Sequence, residues 1–151
     1  MSDKNFQKKV EIKCNALLKL VIGVQKFYKS SDDKSKQFIE TTVGAAIWYL
    51  PKKNDVLFTG KISKKAKAKG ERSEDHPYPR KIAAQKILKH NWKNEIDPVK
   101  TLSDLYIKKY GKFNYVSKSE NRKLRKYQKS GVFKTSEDAY KEAGVELVKY
   151  R

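Results

Sequence analysis

The sequence predicts a mostly helical α+β domain, on three observations. Apolar residues recur at helical spacing through the first fifty positions. Short β-prone runs bounded by turn residues follow near 56–63, 113–117 and 145–148. A length of 151 residues with 38% apolar content, including Trp48, Trp92, nine Tyr and six Phe, suffices for one packed core. One domain is therefore expected over 1–151. It divides into a helical N-terminal part at 1–52, a mixed part at 55–130 and a C-terminal helix and strand at 131–151.

Val10, Cys14, Leu17, Val21, Val24 and Tyr28 recur at alternating steps of four and three, which predicts a helix over about 6–29. Ser31 or Asp32 caps a second helix, with Ile39, Val43, Ala46, Ile47 and Leu50 on one face and Pro51 ending it. The two are expected to pack as a hairpin. The same stripe could serve as a dimer seam, so a monomer is expected first and a homodimer second. Val56–Ser63 reads as a strand or hairpin, and the lysine-rich stretch to Lys69 as a loop. Pro79 can open a helix carrying Ile82, Ala83, Ile87 and Leu88; Asp97-Pro98 can open another with Val99, Leu102 and Leu105, ended by Gly111. Phe113–Ser117 reads as a strand. Ser117 and Glu120 have capping-box spacing, which predicts a helix over about 118–129 stopping at Gly131. A last helix spans Ser136–Ala143, ends at Gly144 and precedes a strand over Val145–Val148. No segment repeats.

The formal charge of +19 is unevenly spread. Residues 61–81 contribute +5 and residues 106–129 contribute +8, while residues 130–151 are neutral. Lys61, Lys64, Lys65, Lys67 and Lys69 precede the first acid of their segment, and Glu120 is the one acid of the second. Clusters of this kind are expected where phosphates are neutralised, because each contact releases condensed counterions. Nucleic acid is the expected partner. The single cysteine, Cys14, excludes an intramolecular disulfide and every multi-cysteine zinc or iron–sulfur site. The longest apolar stretches, 20–24 and 43–50, fall far short of the ~20 residues that span a bilayer, so no membrane partner is expected. A reducing cytoplasm is the expected setting, with no signal-peptide core at the N-terminus.

Two histidines are candidates for chemistry. His90 closes a predicted helix, where a polar side chain suits exposed carbonyls, and reads as a surface residue. His76 lies in Ser-Glu-Asp-His-Pro-Tyr-Pro, flanked by acids and stiffened by two prolines. An imidazole beside a carboxylate has what a general base needs, a pKa near operating pH and a neighbour able to hold a cation.

Asp75, His76 and Pro79 form a D-H-x-x-P sequence. In this and in the strand-to-helix run Tyr115–Leu124, with Asn114 and Asn121, the chain resembles the HNH (His-Asn-His, ββα-metal or His-Me finger) endonucleases of phage and prophage type. The resemblance covers roughly 58–130, with the helices of 79–110 as an insertion in a small ββα core. It lacks the zinc knuckles of many members. It implies a metal-dependent endonuclease: Asp75 and Asn121 hold Mg²⁺, Mn²⁺ or another divalent cation, His76 activates water, and Asn114 orients the base, with Asn91 or Asn94 as alternatives. Arg80 or Arg122 would clamp phosphate. Lys61, Lys64, Lys65, Lys67, Lys69, Arg72, Lys118, Arg125 and Lys126 would track the backbone, DNA being placed ahead of RNA. The competing expectation is a non-catalytic basic DNA- or RNA-binding protein. A PD-(D/E)xK site at Glu11-Ile-Lys13 and a virion-associated structural role rank lower.

Overall fold

The four-and-three stripe forms helix α1 (Asp3–Ser30), and Asp32, accepting the Ser35 N–H at 2.8 Å, starts α2 (Asp33–Trp48). The computed structural model describes residues 2–129 and 136–151. Phe6, Val10, Cys14, Leu17, Val21 and Tyr28 of α1 are all buried. Each such aliphatic or aromatic side chain contributes about 1.5–3 kcal/mol on leaving water. Between the two helices the buried Glu40 accepts the Tyr28 hydroxyl at 2.8 Å and the Gln85 amide at 3.1 Å.

The lysine-rich stretch departs from its expected loop. A short turn of helix, α3 (Asn54–Leu57), occupies the start of the expected strand, leaving β1 at Phe58–Ser63. Lys64–Lys69 is helix α4: Ser63 Oγ accepts the Ala66 N–H at 3.0 Å, and Gly70, with φ of 66°, terminates it. Alternating Lys and Ala are good helix formers, and the cap and the glycine stop supply both ends.

A three-residue strand, β2 (Ser73–Asp75), follows, then α5 (Arg80–Lys89) directly after Pro79 and a 3₁₀ turn at Trp92–Asn94. Asp97 caps α6 (Pro98–Leu105), which runs on into a π-helical turn (Tyr106–Tyr110) before Gly111. After β3 (Phe113–Val116), the capping box forms as expected: Glu120 Oε2 accepts the Ser117 N–H at 2.8 Å, and Ser117 Oγ accepts the Glu120 N–H at 3.2 Å. It opens α7 (Lys118–Lys129). The expected stop at Gly131 lies outside the described residues. Helix α8 (Ser136–Ala143) leads to β4 (Leu147–Lys149), two residues later than expected, because Val145 is drawn into the core.

The sheet order is β2-β3-β1-β4, with β1 and β3 parallel and the two outer pairs antiparallel. The antiparallel pair β2 and β3 followed by α7 gives a ββα succession, with α5 and α6 in the connection. Strand β3 divides the apolar interior, since consecutive strand residues point to opposite faces. Phe113 and Tyr115 pack on the large cluster built by α1, α2, α5 and α6, and Val116 packs on a small one with Leu124, Tyr140 and Val145. Among the described residues no helix is long and apolar enough to cross a membrane.

Candidate active site

In the register of β2 with β3, Asp75 lies opposite Asn114 and Glu74 opposite Tyr115. Asp75 and Asn114 therefore share the face covered by α7 and α8, and both are 3% exposed. The Tyr140 hydroxyl donates to Asp75 Oδ2 at 2.6 Å and accepts from Asn114 Nδ2 at 2.9 Å, while Asn114 Oδ1 accepts the Thr59 hydroxyl. Burial first, and the adjacent Asp75 next, push the Tyr140 phenol well above its ordinary pKa, so it stays a donor. Two residues expected in the site thus come together, but in a closed network that ties β1, β2 and β3 to α8. Asn121 is on the first turn of α7, the helix that packs on this same face.

His76, one residue past the end of β2, lies on the other side. Its ring meets Trp48 edge-on at 5.6 Å and Phe113 at 6.1 Å. Nδ1 is 3.1 Å from the carbonyl oxygen of Lys112, an oxygen that can only accept, so the proton sits on Nδ1. Nε2 is left with its lone pair, buried, and without a hydrogen-bond partner among the described residues. Burial lowers the pKa of His76, the nearby Lys52 and Arg80 lower it further, and the Lys112 carbonyl and Glu74 oppose the shift. The ring is therefore neutral at pH 7. It borders a cavity of about 20 Å³ lined by Trp48, Lys52, Leu57, Arg80, Tyr106 and Tyr110. That is room for one water.

The cations beside His76 arrive by helix packing. Gly44 of α2 packs on the start of α5, where a Cβ would stand at ordinary contact distance, 3.4 Å, from the Arg80 carbonyl. One turn later Trp48 meets the Arg80 guanidinium 3.8 Å from its ring centre and the Lys52 ammonium at 4.0 Å. Glu74, on the His76 face, is 3.9 Å from Lys52. Lys52, Trp48, Glu74 and the Lys112 carbonyl are absent from the sequence-derived set. The period of two along a strand would have offered Glu74 as the companion of His76.

Asp75, one of the two residues that the resemblance assigns to a divalent cation, is drawn into the network with Tyr140. Such ions are held through one or two carboxylates, with waters and substrate phosphate filling the other positions. Asp75 Oδ2 is committed to Tyr140, and both ends of the Asn114 amide are bonded. No three His, Cys, Asp or Glu side chains come together as a metal-holding group among the described residues. Nor does Asn114 orient His76, a task that falls to the Lys112 carbonyl on the opposite face. His90 pairs with Glu95 at 2.6 Å, consistent with a surface role.

The two basic segments are joined. Ser63 Oγ donates to Glu120 Oε2 at 2.5 Å, and Glu71 Oε2 accepts the Lys118 N–H at 2.7 Å, which brings the ends of α4 and α7 together. Lys61, Lys65, Lys69, Lys118, Arg122, Arg125 and Lys126 are exposed. Lys64 pairs with Glu146, Lys67 donates to the Lys149 carbonyl, and Arg72 lies 5.3 Å over the Tyr150 ring. No protein-family model, no curated protein and no solved structure matches this chain.

Proposed function

We propose that this protein is a nuclease in which His76 acts as general base. The observation that carries the reading is the His76 ring itself. Its tautomer is set by the Lys112 carbonyl, its pKa is held below the ordinary 6.5, its Nε2 is buried with no hydrogen-bond partner among the described residues, and the residue borders a cavity the size of one water. A buried, unsatisfied nitrogen is costly, and none of the described residues partners it; in this reading a water molecule does. In the proposed reaction that water forms a bond to phosphorus as Nε2 accepts its proton. The P–O bond to the leaving nucleotide breaks, and the departing oxygen takes a proton from solvent. A positioned base of this kind contributes about 10²–10⁴-fold. The positive charge beside the ring, from Lys52 and Arg80, supports a polyanionic substrate. The ββα succession of β2, β3 and α7, with His76 at the end of β2, supports the family resemblance.

The test is cleavage of supercoiled plasmid and of labelled single-stranded DNA and RNA at low salt, each with Mg²⁺, with Mn²⁺ and with chelator. Cleavage by the wild type and a loss of about 10²-fold or more in His76→Ala is the expected result. No cleavage under any condition sinks the reading. A second reading, nucleic-acid binding without catalysis, is favoured by the exposed Arg122, Lys123, Arg125 and Lys126 of α7, on the face of the sheet away from His76. It is marked by tight binding with a steep salt slope and no strand scission.

A further inference from the structure

Two cations on one indole are an unusual expense. Arg80 and Lys52 repel each other, yet both lie within about 4 Å of the Trp48 ring centre. The negative face of the indole attracts each and holds it in place. Their other partners are few. Lys52 has Glu74 at the edge of ion-pair range, and no carboxylate pairs with Arg80 among the described residues. Both remain exposed, as does Trp48 at 40%. Arg80 and Lys52 thus line the same cavity as His76, whose buried Nε2 can only accept.

This combination selects a ligand. A phosphodiester carries no proton to offer Nε2, but its two anionic oxygens suit the cations, and a water between them suits the lone pair. The cavity, at about 20 Å³, holds that water and is far too small for a nucleobase. Resting on the nuclease reading, we propose that Trp48 presents Arg80 and Lys52 as a paired clamp for a backbone phosphodiester at the cavity mouth. The site then reads phosphate without admitting a base, so strand choice is independent of sequence at the scissile position.

The experiment measures binding of a labelled 20-mer across about 50–200 mM salt, with Trp48 emission as a second signal, for wild type, Arg80→Met, Lys52→Met and the double variant. Trp92 is 2% exposed, so ligand-dependent emission reports on Trp48, and Trp48→Leu should abolish it. Each clamp variant is expected to reduce the slope of log K against log salt by about 0.7–0.9 and to erase the emission change. Arg122→Gln, as control, should reduce the slope similarly and leave the emission change intact. Cleavage should slow about tenfold or more in the double variant while an abasic nucleotide beside the scissile phosphate leaves it unchanged. Melting temperatures near wild type exclude misfolding, and Arg80→Lys should restore part of the binding. A double variant with wild-type slope and emission overturns the clamp, as does a wild type that binds no oligonucleotide. Binding with the predicted slopes but no scission leaves the clamp standing and sinks the nuclease reading. Scission undiminished in the double variant does the reverse.

Discussion

Tyr140→Phe removes one oxygen from the small core and nothing else. The ring stays among Val116, Leu124 and Val145, while Asp75 Oδ2 loses a donor at 2.6 Å and Asn114 Nδ2 loses an acceptor at 2.9 Å. A hydrogen bond to a carboxylate is worth about 1.5–3 kcal/mol and one between neutral groups about 0.5–1.5 kcal/mol. Both acceptor and donor are 3% exposed, so water does not easily replace the phenol. The expected destabilisation is about 2–4 kcal/mol, or roughly 4–16 °C in Tm for a chain of this size. Urea titration with an unchanged m-value is the assay, together with a double-mutant cycle against Asp75→Asn, in which a coupling of about 0.5–3 kcal/mol is expected. If this face of the sheet is scaffold, cleavage measured well below Tm stays at the wild-type rate. A loss under about 0.5 kcal/mol refutes the network as a source of stability. Lost cleavage at full stability would move the chemistry to the Asp75 face.

Two further predictions address the His76 face. The folded ring has a lowered pKa, so between that value and the ordinary 6.5 the unfolded chain binds a proton that the folded chain refuses. Its contribution to stability is complete above pH 6.5 and is lost as pH falls toward the folded pKa; the slope seen below pH 6.5 in denaturant titrations should flatten in His76→Asn, and an unchanged slope would reject this account. Gly111→Ala would place a Cβ 2.8 Å from the Tyr106 ring and 2.9 Å from its carbonyl oxygen. Because the carbonyl belongs to the π-helical turn and also accepts the Gly111 N–H at 2.7 Å, overpacking should cost about 1–3 kcal/mol, and unfolding curves matching wild type would show that the turn yields freely.

Apart from the short α3 and α4, the helices were legible because their signals are local and redundant. In α1 seven buried positions share one stripe, and for α7 the Ser117–Glu120 box sets the start. The strand β2 was not, since Ser73, Glu74 and Asp75 offer neither β-branched residues nor apolar alternation. Its existence comes from pairing with β3, a non-local fact. That omission governed the candidate site. Read as a linear motif, Asp75 and His76 are neighbours and belong to one centre. Strand geometry carries the side chain of Asp75 to Tyr140 and Asn114, while the ring of His76, just past the strand, turns to Trp48 and Phe113. The atom that orients His76 is a main-chain carbonyl, which leaves no mark on residue identity. Trp48 and Lys52 reach the site through the packing of α2 on α5, from more than twenty positions away in sequence. His76 was therefore readable as a candidate from its own flanks, whereas its spatial neighbours were fixed by the pairing of β2 and by helix packing. A variant series that separates Glu74 from Asp75 tests that distinction most directly: Glu74→Gln should alter the pH profile of any cleavage through the charge beside Lys52 and His76, and Asp75→Asn should act through stability.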